Sequence, residues 1–164
     1  MNGKTIISIV VGALAFFAVK YGVSHFFSND VDLSQIVKDH PEFSKTADDL
    51  EDAVKGLSPN SSIEEILKVT EESMTKNLPI KVDDNTILVG VKAGPGKLFT
   101  YDYHIVDLPD ITAEQLETAM KPSLTAQYNG PDMKAYKDNK VIAIYRYSQK
   151  NGDLISEITI GPEE

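Results

Sequence analysis

The apolar positions of this chain change their period twice. An uncharged run, "TIISIVVGALAFFAV", fills Thr5–Val19, and after Lys20 the apolar character resumes in "YGVSHFF" to Phe27. As a helix, Thr5–Phe27 reaches roughly 34 Å, which matches a ~30 Å hydrocarbon core with part of its interface. From Leu33 to Pro79 the spacing is that of amphipathic helices. Leu33, Ile36 and Val37 predict a short helix ended by Pro41. Ala47, Leu50, Val54 and Leu57 predict a second, with Gly56 at its stop. Ser62 and Glu65 form a capping box that opens a third, whose apolar stripe is Ile63, Ile66, Leu67, Thr70 and Met74.

From Ile80 onward alternation takes over. Ile87, Val89 and Val91 alternate with Leu88, Gly90 and Lys92; then Phe99, Tyr101, Tyr103 and Ile105 alternate with Leu98, Thr100, Asp102, His104 and Val106. The link between these runs is Gly94-Pro95-Gly96, which predicts an antiparallel hairpin. Thr112 and Gln115 form a second capping box before a helix whose buried side is Leu116, Ala119 and Met120, with Pro122 expected to kink or split it. "KVIAIYRYSQ" and "LISEITIG" predict a second hairpin through Asn151-Gly152. The expected fold is α+β, with helices packed on one face of a four-stranded antiparallel sheet built from two hairpins. The organisation that follows is a cytoplasmic tail at 1–4, a transmembrane helix at 5–27, a polar linker at 28–32 and a periplasmic α+β domain at 33–162.

Composition sharpens the first segment. Of 16 basic residues only Lys4 and Lys20 precede Ser28, so the rest of the chain carries 14 bases against all 25 acids. Lys4 on the short tail and an acidic far side place the N-terminus inside. Lys20 can snorkel to the headgroups, where Tyr21 and His25 also fit. A cleaved signal peptide competes with the anchor, because "MNGK" is a passable basic start; yet no A-x-A follows the apolar run, and Gly22-Val23-Ser24 is the nearest substitute. Ser8, Gly12, Ala15 and Gly22 lie near one stripe and would allow close helix–helix contact and homo-oligomers. Small residues are also common in any membrane helix, so packing and composition both account for them. The acidic remainder has one arginine, Arg146, and no basic patch, which argues against nucleic acid. With no cysteine, neither a disulfide framework nor a thiolate metal site can form.

Candidate chemistry is sparse. Gly94, Gly96 and Lys97 resemble a fragment of a phosphate loop, but the spacing is short, Pro95 removes an N–H, no hydroxyl follows, and a strand comes next instead of a helix. Asp102 and His104 share a strand face, yet His25 and His40 lie off the predicted strands and no third ligand or nucleophile accompanies them. Asp48, Asp49, Glu51 and Asp52, and Glu64, Glu65, Glu71 and Glu72, read as solvated helix faces. Asn60-Ser61-Ser62 is a formal glycosylation sequon that doubles as a helix cap. Tyr101, Tyr103, Tyr145 and Tyr147 admit two readings: cross-strand stacking in the core, or an exposed face that binds a partner. No cofactor is expected.

The stretch "NLPIKVDDNTILVGVKAGPGKLFTYDYHIV", with the later pair "VIAIYRYSQKNGDLISEITI", resembles a family of small exported or membrane-anchored bacterial α+β proteins with an LPxxVDxxTxL…YxY pattern. The resemblance covers about half the chain and implies an exported α+β domain. It carries over no catalytic residue, and the cysteine pair often present in such chains is missing here. The functional expectation is a single-pass inner-membrane protein whose periplasmic domain binds a protein partner in an envelope or secretion assembly, without enzymatic activity. The alternative is a soluble periplasmic binder or immunity-type inhibitor released by signal cleavage.

Overall fold

The computed structural model describes residues 44–58, 60–82, 85–106, 111–130 and 133–162. The predicted membrane helix at 5–27, with Ser8, Gly12, Ala15 and Gly22, the linker and the short helix before Pro41 lie outside these residues. No helix among the described residues is long and apolar enough to cross a membrane.

Among the described residues the chain opens with two helices, α1 (Ser44–Lys55) and α2 (Ile63–Thr75). The predicted capping box is present: the Glu65 N–H donates to Ser62 Oγ at 3.2 Å and the Ser62 N–H donates to Glu65 Oε2 at 2.7 Å. Satisfying these end donors fixes where α2 starts. Its buried residues are Ile63, Ile66, Leu67, Thr70, Ser73 and Met74, the predicted stripe with one serine added. Asp49 of α1 is drawn into the packing, accepting a 2.7 Å bond from Asn77 Nδ2, while Asp48 and Asp52 stay exposed.

The strands are β1 (Ile80–Lys81), β2 (Thr86–Gly94), β3 (Leu98–Ile105), β4 (Ile142–Gln149) and β5 (Leu154–Ile160), in one sheet of order β1-β2-β3-β4-β5. Between β3 and β4 run α3 (Ala113–Tyr128) and α4 (Lys134–Asp138). Both predicted hairpins form, β2–β3 and β4–β5. Two features correct the four-stranded antiparallel expectation. The short β1 pairs with β2 through Ile80↔Leu88 and Lys81↔Ile87, making a fifth strand. The central pair β3–β4 is parallel, Leu98↔Ile142 through Ile105↔Gln149. The reason is the crossover: a helical connection carries the chain back to the end from which it started, and adjacent strands joined that way run parallel. The sheet is therefore mixed. α3 is continuous through Pro122, which sits exposed on its outer side, so the helix does not split there. Its buried residues are Leu116, Leu124 and Tyr128; Met120 is half-buried, and Ala119 is exposed, contrary to the stripe expected from the sequence.

One sheet face is buried under the helices. Leu88, Val91, Phe99, Tyr101, Tyr103, Ala143, Tyr145, Tyr147, Ile158 and Ile160 supply it, and Ile66, Leu67, Met74, Leu116, Leu124 and Tyr136 meet it from the helical side. We expect Tyr101→Ala, which empties the centre of this core, to lower unfolding free energy by about 3–5 kcal/mol. Tyr147→Phe removes a buried hydroxyl that has no hydrogen-bond partner and should be neutral or mildly stabilising. Denaturant unfolding of the full chain, followed by near-ultraviolet circular dichroism of its tyrosines, measures both. A Tyr101→Ala loss below about 1 kcal/mol would contradict this core.

Candidate functional site

The opposite sheet face is the candidate site, and the alternation of the strands builds it. In β3 the residues Leu98, Thr100, Asp102 and His104 are half-buried and alternate with buried ones; in β4 Ile142, Ile144, Arg146 and Ser148 are half-buried in the same alternation, which ends at exposed Gln149. The parallel register sets them side by side, Leu98 with Ile142, Thr100 with Ile144, Asp102 with Arg146 and His104 with Ser148. β5 extends three of these rows, placing Thr159 beside Ile144, Glu157 beside Arg146 and Leu154 beside Ser148. The face thus grades from apolar at Leu98, Ile142 and Ile144, through a charged row, to polar at His104 and Ser148, with Leu154 at the β5 end of that last row.

The charged row is its centre. Arg146 Nη1 lies 3.2 Å from Asp102 Oδ1, and Arg146 Nε lies 3.4 Å from Glu157 Oε2. The Arg146 side chain is 43% exposed, Asp102 35% and Glu157 49%, while Arg146 Nε itself is buried and meets Glu157 as an ion pair without a hydrogen bond. A fork-shaped donor set between two carboxylates suits arginine better than lysine. On the far side of Asp102 stands Gly90, its partner in β2. A Cβ at Gly90 would come within 3.2 Å of Asp102 Oδ2 and 3.3 Å of Asp102 Cβ, so the glycine leaves the space into which the aspartate leans. Just before it, a bulge between Leu88 and Gly90 shifts the register.

The residues singled out from the sequence fall as follows. Gly94 closes β2, and Gly96 and Lys97 lie in the β2–β3 turn with φ of 72° and 64°. Lys97 Nζ donates to the Asn139 carbonyl at 3.2 Å, and the Lys97 carbonyl accepts from Ile142 N at 2.9 Å. That lysine pins the segment entering β4, and its backbone N–H groups belong to a tight turn with no helix behind it. His104 does not join Asp102 in a site; Asp102 turns to Arg146. Among the described residues no group of three or more metal-capable side chains gathers. Ser62 is the helix cap, as one reading of the sequon had it.

The four tyrosines are in the core, so the fold gives them no exposed partner-binding face. Tyr101, Tyr103 and Tyr145 are fully buried and Tyr147 nearly so. Strand register sets Tyr101 against Tyr145 and Tyr103 against Tyr147, with ring centroids 5.3 Å apart in both pairs and interplanar angles of 8° and 19°. Tyr136 closes the stack from α4, its hydroxyl 3.2 Å from that of Tyr101, and the Tyr128 hydroxyl donates to the Val141 carbonyl at 2.7 Å. Burial raises the pKa of all six: Tyr101, Tyr103, Tyr136, Tyr145 and Tyr147 move well up, and Tyr128 moves to about 12.

Arg146 and Glu157 are candidate residues that strand pairing brings together. A signal for the row was present: Tyr101-Asp102-Tyr103 and Tyr145-Arg146-Tyr147 are two Tyr-x-Tyr triplets with opposite charges in the middle. If the triplets pair in register, the charges must meet on the face opposite the rings.

These features define a class, an α+β module with helices on one face of a five-stranded mixed sheet and a charge-banded open face. No family model matches the chain, and no curated protein matches it. Among solved structures it is similar to the pilotin EpsS of the Vibrio vulnificus type 2 secretion system, at 11% identity and TM-score 0.48, over 60% of this chain and 86% of that one. It is also similar to a candidate secreted protein of Pseudomonas aeruginosa, at 9% identity and TM-score 0.44, over 60% and 88%. Neither likeness carries a function to this chain.

Two outcomes follow from this geometry. In a double-mutant cycle, Asp102→Asn and Arg146→Met should couple by about 0.5–1 kcal/mol, and the coupling should fall at high salt because the pair is partly exposed. Additivity at low salt would show that the contact contributes nothing. For pH, an unfolded tyrosine ionises near 10, whereas the buried ones keep their protons to higher pH. The unfolded chain then binds fewer protons, so stability present below about pH 10 is lost as pH rises toward the folded values. We expect tyrosinate absorbance to rise in one cooperative step together with loss of near-ultraviolet dichroism. Independent, non-cooperative titration of the tyrosines near pH 10 would contradict their burial.

Proposed function

We propose that this chain is a membrane-anchored accessory protein of the bacterial envelope, whose periplasmic α+β domain binds a protein partner through the open face of its sheet, without catalysis. The observation that carries this reading is the open face itself. Three half-buried aliphatic side chains, Leu98, Ile142 and Ile144, border a row centred on Arg146. Apolar contact surface beside an arginine flanked by two carboxylates is the composition of protein interfaces, where arginine often anchors binding. The uncharged run Thr5–Val19 and the missing cleavage motif support an uncleaved anchor, with the N-terminus cytoplasmic and the domain outside.

The test is site-specific photo-crosslinking of the full-length protein in living cells. A crosslinker at Ile144 should give a discrete adduct with one envelope protein, in the membrane fraction. The same crosslinker at exposed Glu72 on α2 should not. Arg146→Ala should weaken the Ile144 adduct at least about tenfold in apparent affinity, as for a central interface residue. Identical adducts from both positions, or none from Ile144, would refute binding at this face.

A further inference from the structure

The two edges of the sheet are treated differently. On one side β2 is covered by β1 at Ile87 and Leu88, and farther along the Ala93 N–H donates to the Glu71 carboxylate at 3.1 Å. A paired or capped edge cannot template another strand. On the other side β5 pairs, among the described residues, with β4 alone. The register of that pair has a shift: Ser148 opposes Leu154 while Tyr147 opposes Ser156. Ile155 is the extra residue, and its insertion keeps Leu154 on the same face as Glu157, the open one. Leu154 is 51% exposed, the large hydrophobic residue that stands out on the described surface.

The charges lead to the same edge. Across β3, β4 and β5 the row reads Asp102, Arg146, Glu157, negative, positive, negative, and it stops at a carboxylate that is half exposed. The next position in the row belongs to a strand that the described residues do not supply. We propose that β5 is a docking edge for an extended segment of the protein partner, which adds a sixth strand with a lysine or arginine opposite Glu157 and an apolar residue two positions along, opposite Leu154. Main-chain hydrogen bonds would give such a segment its hold, and the alternate side chains its specificity. The acidic balance of the chain after residue 27, 14 bases against 25 acids, also favours a cationic segment. A second copy of this chain fits poorly. Glu157 is the middle residue of Leu154–Ile160, so two β5 strands paired antiparallel about their centres would set glutamate against glutamate.

This inference rests on the protein-binding reading and has its own test. The probe is an end-blocked peptide, Thr-Val-Thr-Lys-Thr-Val-Thr, labelled with a fluorophore; it reads the same in both directions, so parallel and antiparallel addition are both sampled. With the full-length protein in detergent, anisotropy should show saturable binding. Replacing the central lysine by glutamate, or N-methylating the third and fourth residues to block both peptide edges, should each weaken binding at least about tenfold. Glu157→Gln should erase the preference for lysine over glutamate, and Glu157→Lys should invert it. No binding, equal binding of the two peptides, or binding that survives N-methylation would overturn the docking edge, including the case in which residues 1–43 of this chain fill it. Crosslinking from Ile144 reads the open face separately, so the edge can fail while that reading stands.

Discussion

Each of the two central strands brings a pair of tyrosines to the same buried face, and the parallel register sets the pairs ring against ring. Tyr101 on Tyr145 and Tyr103 on Tyr147 occupy the middle of the core, with Phe99 edge-on at 5.1 Å from Tyr101 and Tyr136 covering them from α4. Large aromatic side chains dominate burial in a core of this size, so a shift of one residue in the β3–β4 register would do more than misalign a ladder. It would turn one set of rings into solvent and drive charges inward. The stack therefore fixes the register, and the register fixes everything on the other face.

The charged row is the first consequence. Asp102 and Arg146 meet because they are the residues between the stacked tyrosines, and Glu157 joins because β5 pairs antiparallel with β4. Their mutual stabilisation is small, as expected for pairs this exposed. What the row contributes is placement: an arginine held by two carboxylates at the centre of a face that the described helices leave uncovered, beside Leu98, Ile142 and Ile144. The buried face carries the folding energy, and the open face is left to recognition. Lys97, part of the turn that the sequence distinguishes from a phosphate loop, serves the same register by tying the β2–β3 turn to the carbonyl of Asn139 ahead of β4.

Signals confined to a few neighbouring residues were legible. Both capping boxes, both hairpins, the α2 stripe and the α+β class follow from bonds between residues three or four apart, or from periods of 3.6 and 2, and these survive in the fold. Ala119 fails that test because α3 lies along the sheet so that Leu116, Leu124 and Tyr128 face inward, a choice made by the surface it meets. Pro122 is tolerated because it stands on the outer side of the helix.

Among the described residues the sequence by itself thus determined α1, α2 and α3, the four longer strands, and that one face of β3 and β4 is aromatic while the other carries their charges. Only the tertiary structure decided that β3 and β4 run parallel, that two residues at Ile80–Lys81 suffice for a fifth strand, that the tyrosines are core, and that Asp102, Arg146 and Glu157 form one row. Local patterns are written in bonds between near neighbours. Strand order, direction and register are set by contacts between residues some forty positions apart, and no single segment contains the partner that decides them.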